Sequence, residues 1–248
     1  MPFCRAQSPA SPLLVVRTGL QASGAPSAYR AGVSLDAVVF DFDGVIIDSE
    51  VTNFQAWSET FARFGTELTT REYVDSMGGR HLNIYELLTW KADAAVPDEM
   101  SLRAVKRARH LELLAATDVL PGVADWIAEA RRRKMGVAIA SSGDPSWVAD
   151  NLVRVGLADS FDCIFCCDGE LPPKPAPDLF LRACERLGVP PRAALAVENS
   201  PTGLLAAQAA GMRTLAVVHR LTLDVNLAAE IVVQSLEELS LGDVVKQL

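Results

Sequence analysis

A chain of 248 residues, half of them apolar and 22% charged, is long enough to bury a substantial core and too apolar to be disordered as a whole. Its formal charge of −8 argues against nucleic acid and anionic membrane surfaces as partners, since the one dense basic run, residues 131–134, ends a predicted helix where cations suit the dipole. No apolar stretch approaches the roughly 18 residues that a membrane span needs.

Residues 1–35 carry Arg5, Arg17 and Arg30 and no acidic residue, while the rest of the chain holds all 31 acids. This Ser-, Ala- and Pro-rich stretch reads as a disordered tail or as an organellar targeting segment. The expected location is cytoplasmic, or organellar if the tail is a transit peptide. The five cysteines are odd in number and lack the paired spacing of a zinc site, so Cys163, Cys166 and Cys167 are expected as buried strand thiols in a reducing compartment.

From Leu35 onward, short β-branched runs alternate with helical stretches. The predicted strands are AVVFDF, GVAIAS, DCIFCCD, AALAVEN, TLAVVH and IVVQS, and helices are expected over 144–155, 176–187 and 200–210. Strands that are apolar on both faces and alternate with helices predict a doubly wound, Rossmann-like α/β domain built on a parallel sheet. Between the first and second strands lie about ninety residues of helical pattern, closed by a crossover helix after Pro121 and Gly122. Residues 51–118 are therefore expected as an inserted all-helical cap, with 36–50 and 119–248 forming the core.

In an open parallel sheet, ligands bind beyond the carboxyl ends of the strands. The first strand delivers Asp41 and Asp43 there, on one face because residues two apart in a strand point the same way. The second delivers Ser141 and Ser142, the fourth Glu198 and Asn199, and the loop after the third carries Lys174. Two carboxylates about 7 Å apart need a cation or a proton between them, and an all-oxygen set with Glu198 suits Mg²⁺.

DFDGVIIDSE, AIASSG, KPAPDLF and AVENSPTGLLAAQAAGM, in this order, resemble the four motifs of the haloacid dehalogenase-like hydrolase superfamily. The likeness is to the branch with a helical cap, which holds phosphatases and β-phosphoglucomutase-like enzymes. The resemblance implies an aspartyl-phosphate mechanism in which Asp41 is the nucleophile and Asp43 the general acid/base. It implies Ser141 and Lys174 as phosphate-binding and charge-neutralising residues, and Mg²⁺ held by Asp41, Asp43, Glu198 and Asn199. Ser142, Arg80 and Asn53 are the expected substrate contacts.

Two positions depart from the pattern: Asn199 replaces a second acid, and Asn53 stands where the mutases carry histidine. The function expected is a Mg²⁺-dependent phosphatase of a small phosphorylated metabolite, a sugar or organic-acid phosphate, in a monomer or weak dimer. A sugar-phosphate mutase is the alternative. Retention of Asp43 and Glu198 speaks against dehalogenation, which needs no metal. Asp48 is expected as a helix cap, and Phe54, Trp57 and Phe61 as core of the insertion.

Overall fold

A computed structural model describes residues 35–76, 83–221, 223 and 225–248. The N-terminal stretch up to residue 34 and Arg80 lie outside the described residues. Six strands form one fully parallel sheet: β1 (Ala37–Phe40), β2 (Gly136–Ser141), β3 (Cys163–Cys166), β4 (Ala194–Glu198), β5 (Arg213–Val217) and β6 (Ile231–Val233). Their order is β3-β2-β1-β4-β5-β6. The winding direction reverses between β1 and β4, which leaves a crevice at their carboxyl ends.

The alternation within each strand sorts the core by size. On one face Val38, Phe40, Val137, Ile139, Leu195 and Val197 pack together. Against them lie α5 (Val123–Arg132), α6 (Pro145–Arg154) and the C-terminal α9 (Leu241–Gln247). On the other face stand Ala37, Val39, Ala138, Ala140, Ala194 and Ala196. These small side chains let α7 (Asp178–Leu187) and α8 (Pro201–Ala209) seat Phe180 and Ala207 close to the sheet. β3 is an edge strand, so the cysteines divide: Cys166 and Cys184 are buried, whereas Cys163 and Cys167 are only partly so. The expectation that all three strand thiols are buried is corrected on that ground.

Among the described residues four helices separate β1 from α5: α1 (Ser49–Arg63), α2 (Thr70–Ser76), α3 (Ile84–Lys91) and α4 (Glu99–Leu114). They share a hydrophobic cluster of their own, in which Trp57, Phe61, Tyr73, Leu88 and Leu102 are buried and Phe54 is half-buried. Asp48 caps α1, its carboxylate accepting Val51 N–H at 3.2 Å, and it also meets His219 Nε2 at 3.0 Å.

The two connections between sheet and helices run side by side. Ile47 bridges Val119 in antiparallel fashion, and Leu120 N–H donates to Ile46 C=O at 2.9 Å. Gly122 opens α5 with φ at +83°, and a β-carbon there would sit 2.6 Å from the Leu236 backbone, so no other residue fits. Among the described residues no helix is long and apolar enough to cross a membrane.

Candidate active site

Strand β1 continues as a ladder one residue beyond its end, where Asp41 N–H donates to Val197 C=O at 2.9 Å. The chain then turns away at Gly44, whose φ of +79° and close approach to Asn199 leave no space for a side chain. Asp41 and Asp43 are thereby held at the crevice mouth, and both line a cavity of roughly 730 Å³ between the sheet ends and the inserted helices.

Lys174 reaches this point from the loop after β3. Its Nζ donates to Asp41 Oδ1 and to Glu198 Oε1, both at 2.6 Å, and its side chain is only 5% exposed. Burial alone works against the ammonium, but the two carboxylates outweigh it and hold its pKa above the ordinary lysine value. The Lys174 backbone N–H donates to Ser142 Oγ at 3.1 Å, which ties the loop to the end of β2.

Glu198 is wholly buried and fully engaged. Beyond Lys174, its Oε2 accepts Asn199 N–H, Ser200 N–H and Ser200 Oγ at 3.1, 3.3 and 3.1 Å. Desolvation pushes its pKa up against the pull of Lys174. Asn199 lines the cavity with Nδ2 against Gly44. Ser141, buried at the last position of β2, accepts Gly143 N–H at 3.0 Å.

Asp43 has a different setting. Its Oδ1 accepts Ser49 Oγ at 2.5 Å and Trp147 Nε1 at 2.9 Å. Burial, then the neighbouring Asp41 charge, raise its pKa to about 6 although both hydrogen bonds oppose the shift. A carboxyl at that value exchanges protons near neutral pH, as an acid/base needs.

The opposite wall is a second polar chain. Tyr73 OH donates to Glu50 Oε2 at 3.0 Å, Asn53 Nδ2 donates to Tyr73 OH at 2.7 Å, and Lys106 Nζ donates to Asn53 Oδ1. Burial and then the Asp43 charge raise Glu50 to about 7, while burial followed by the Arg103 and Arg107 charges lower Lys106 to about 8. Glu50 and Asn53 line the cavity together with Trp57, Tyr73 and Asp75.

The structure thus brings together Asp41, Asp43, Ser141, Ser142, Lys174, Glu198 and Asn199, and sets Asn53 across from them. Sequence reasoning missed Ser49, Glu50, Tyr73, Lys106 and Trp147. Only Ser49 and Glu50 fell inside a recognised motif; the rest are long-range partners.

A family model described as haloacid dehalogenase-like hydrolase matches residues 38–217. CbbY of Rhodobacter capsulatus is 34% identical over 197 residues, covering 74% of this chain and 85% of that one. Fructose-1-phosphate phosphatase YqaB of Escherichia coli K12 is 31% identical over 176 residues, covering 71% and 92%. A crystal structure of a CbbY variant from Rhodobacter sphaeroides with xylulose-(1,5)bisphosphate superposes with a TM-score of 0.67 at 29% identity, covering 84% and 98%. The chain belongs to the haloacid dehalogenase-like hydrolases. The family match and its phosphatase relatives make it an enzyme of phosphomonoester hydrolysis.

Proposed function

We propose that this hydrolase is a Mg²⁺-dependent phosphatase of a small phosphorylated metabolite, a sugar or organic-acid phosphate, and that it works through an aspartyl-phosphate. The observation that carries the reading is the contrast between its two strand-end carboxylates. Asp41 Oδ1 is paired with the buried Lys174 ammonium at 2.6 Å, where its carboxylate can act as the nucleophile. Asp43 is hydrogen-bonded and desolvated toward a neutral carboxyl.

In the first step an Asp41 oxygen bonds phosphorus as the ester P–O bond breaks, and Asp43 gives its proton to the departing alkoxide. In the second, Asp43 takes a proton from water, whose oxygen bonds phosphorus while the acyl-phosphate bond breaks. Alcohol and phosphate leave, and Asp41 is regenerated as an anion. Lys174 offsets negative charge at the attacked phosphoryl group, while Ser141 and the Ser142–Gly143 turn supply hydrogen bonds.

The donor set fits a small hard cation. Asp41 and Glu198 share the one ammonium of Lys174, which leaves no surplus positive charge at the strand ends to receive a phosphate dianion. Among the described residues no three His, Cys, Asp or Glu side chains cluster in a metal-binding arrangement. With both Glu198 oxygens engaged, Asp41, the Asp43 carbonyl and the Asn199 amide are the residues that would hold Mg²⁺, with Glu198 behind them. When bound, the ion supplies charge stabilisation to the phosphoryl oxygens.

Residues 51–118 serve as the cap that closes the cleft and selects the substrate, with Tyr73 and Asn53 on its polar wall beside Glu50 at its entry. Asn53 is committed to Tyr73 and Lys106 and offers no imidazole, which disfavours the mutase alternative. Incubation of the full chain with Mg²⁺ and a panel of phosphometabolites should release phosphate from at least one, and Asp41→Asn should abolish it. Release at the wild-type rate by that variant would remove Asp41 as nucleophile.

A further inference from the structure

We infer that Trp147 is a positioning residue for the acid/base: its indole N–H pins Asp43 Oδ1, so that Oδ2 is the oxygen that carries the exchanged proton. The inference rests on the phosphatase reading and adds to it a residue, 104 positions away in sequence, that no strand end supplies.

Local structure puts the indole there. Asp144 caps α6 through Ser146 N–H at 2.8 Å, and Pro145 takes the first helical position. Trp147 therefore falls in the first turn, beside the end of β2, where its Nε1 meets Asp43 Oδ1 at 2.9 Å. The ring is held from the inserted helices as well. The His110 ring lies 5.4 Å away at an interplanar angle of 36°, and the Arg107 guanidinium lies 5.9 Å from the indole centroid. Both residues belong to α4, so core and insertion fix the indole together.

An indole N–H donates and never accepts, so Oδ1 must present a lone pair to it. Ser49 Oγ donates to the same oxygen at 2.5 Å. A proton placed on Oδ1 would meet these donors, which leaves Oδ2 to carry it. Among the described residues Oδ2 makes no hydrogen bond, and it faces the space beside Ser141. A β-carbon built on Gly143 would stand 3.4 Å from Oδ2 and 3.1 Å from Ser141 Oγ. The proton-bearing oxygen is thus turned toward the expected phosphoryl position. A satisfied indole needs only some acceptor; this one orients a carboxyl whose direction decides whether the leaving oxygen is protonated.

The test separates this role from packing. A 4-nitrophenolate leaves without protonation, whereas an alkoxide does not, and kcat/KM reports the step in which the ester bond breaks. The full chain with Mg²⁺ is assayed on 4-nitrophenyl phosphate and on an alkyl phosphate. Trp147→Phe keeps the ring and removes the donor. It should lose at least about tenfold more kcat/KM on the alkyl ester than on the nitrophenyl ester, as loss of a hydrogen bond to a charged group implies. Trp147→His sacrifices the benzo ring, but its Nε2–H can occupy the place of the indole N–H. It should melt at lower temperature yet retain the wild-type ratio between the two esters. Equal losses on both esters in Trp147→Phe, or a Trp147→His ratio matching the Phe variant, would overturn the inference while leaving the phosphatase reading intact. The alkyl ester is taken from the members of the phosphometabolite panel that the wild-type enzyme hydrolyses, and a wild-type enzyme that releases phosphate from no member overturns that reading and the inference with it.

Discussion

The Lys174 ammonium lies 2.6 Å from Asp41 Oδ1 and the same distance from Glu198 Oε1, joining a strand end on each side of the point where the sheet reverses its winding. One cation therefore serves the attacking carboxylate and the buried acid behind it. Lys174→Met should cut kcat/KM at least about a hundredfold, because positioned charge is the main currency of phosphoryl transfer. It should also destabilise the fold by about 3 kcal/mol or more, since Glu198 is left buried and unpaired. Steady-state kinetics and a denaturant titration check the two effects separately.

Gly203 carries a less obvious constraint. A β-carbon there would lie 1.9 to 2.0 Å from the Glu198 carboxylate, which cannot swing aside because Lys174, Ser200 and two backbone N–H groups hold it. Gly203→Ala ordinarily gains helix propensity, yet here it should cost about 2 kcal/mol through overpacking. It should also reduce turnover, because the displaced carboxylate drags Lys174 with it. Thermal unfolding and phosphate release measure both.

Glu50 predicts a pH dependence of stability in metal-free protein. Burial and the Asp43 charge raise its folded pKa to about 7, above its unfolded value of 4.5. The folded state thus holds a proton that the unfolded state releases. The stability it contributes is complete below pH 4.5 and is lost as pH rises through about 7. Relative to wild type, Glu50→Gln should therefore melt at progressively higher temperature as pH is raised from 5 to 8. A constant difference across that range would remove the assignment.

Asn53 links Tyr73 OH at 2.7 Å to the Lys106 ammonium. Asn53→His sets an imidazole beside that ammonium and removes the amide oxygen that accepts from it. The variant should lose about 1 to 3 kcal/mol of stability. It should still form no glucose 6-phosphate from β-glucose 1-phosphate and the bisphosphate. Coupled detection of glucose 6-phosphate decides the point.

Much of this architecture is legible in the residues. All six strands were marked by runs such as GVAIAS and ALAVE, because a parallel sheet covered on both faces writes itself as uninterrupted apolar sequence. The strand-end side chains followed from topology alone. What stayed hidden depends on contacts across sequence. The helix at Thr70–Ser76 is a short polar heptapeptide that buries only Tyr73, and the one at Leu241–Gln247 has too few turns to show a period. Trp147 and Lys106 meet their partners 104 and 53 positions away, and nothing local in their neighbourhoods announces it. The commitment of both Glu198 oxygens was equally unreadable, since it needs the loop, the strand and the next helix at once.

The paired connections at Ile47 and Val119 have a consequence for how such an enzyme can change its trade. A helical segment of some seventy residues departs from the sheet and returns to it within one hydrogen bond. Its chain enters and leaves the sheet through a single stem, while His110 and Arg107 reach across to the Trp147 indole. Its loss or exchange would stretch no strand and reposition neither Asp41 nor Lys174. A different bundle spliced onto the same stem would inherit Asp41 and Lys174 in place, would have to supply its own support for the Trp147 indole, and would bring a new preference for what enters the site.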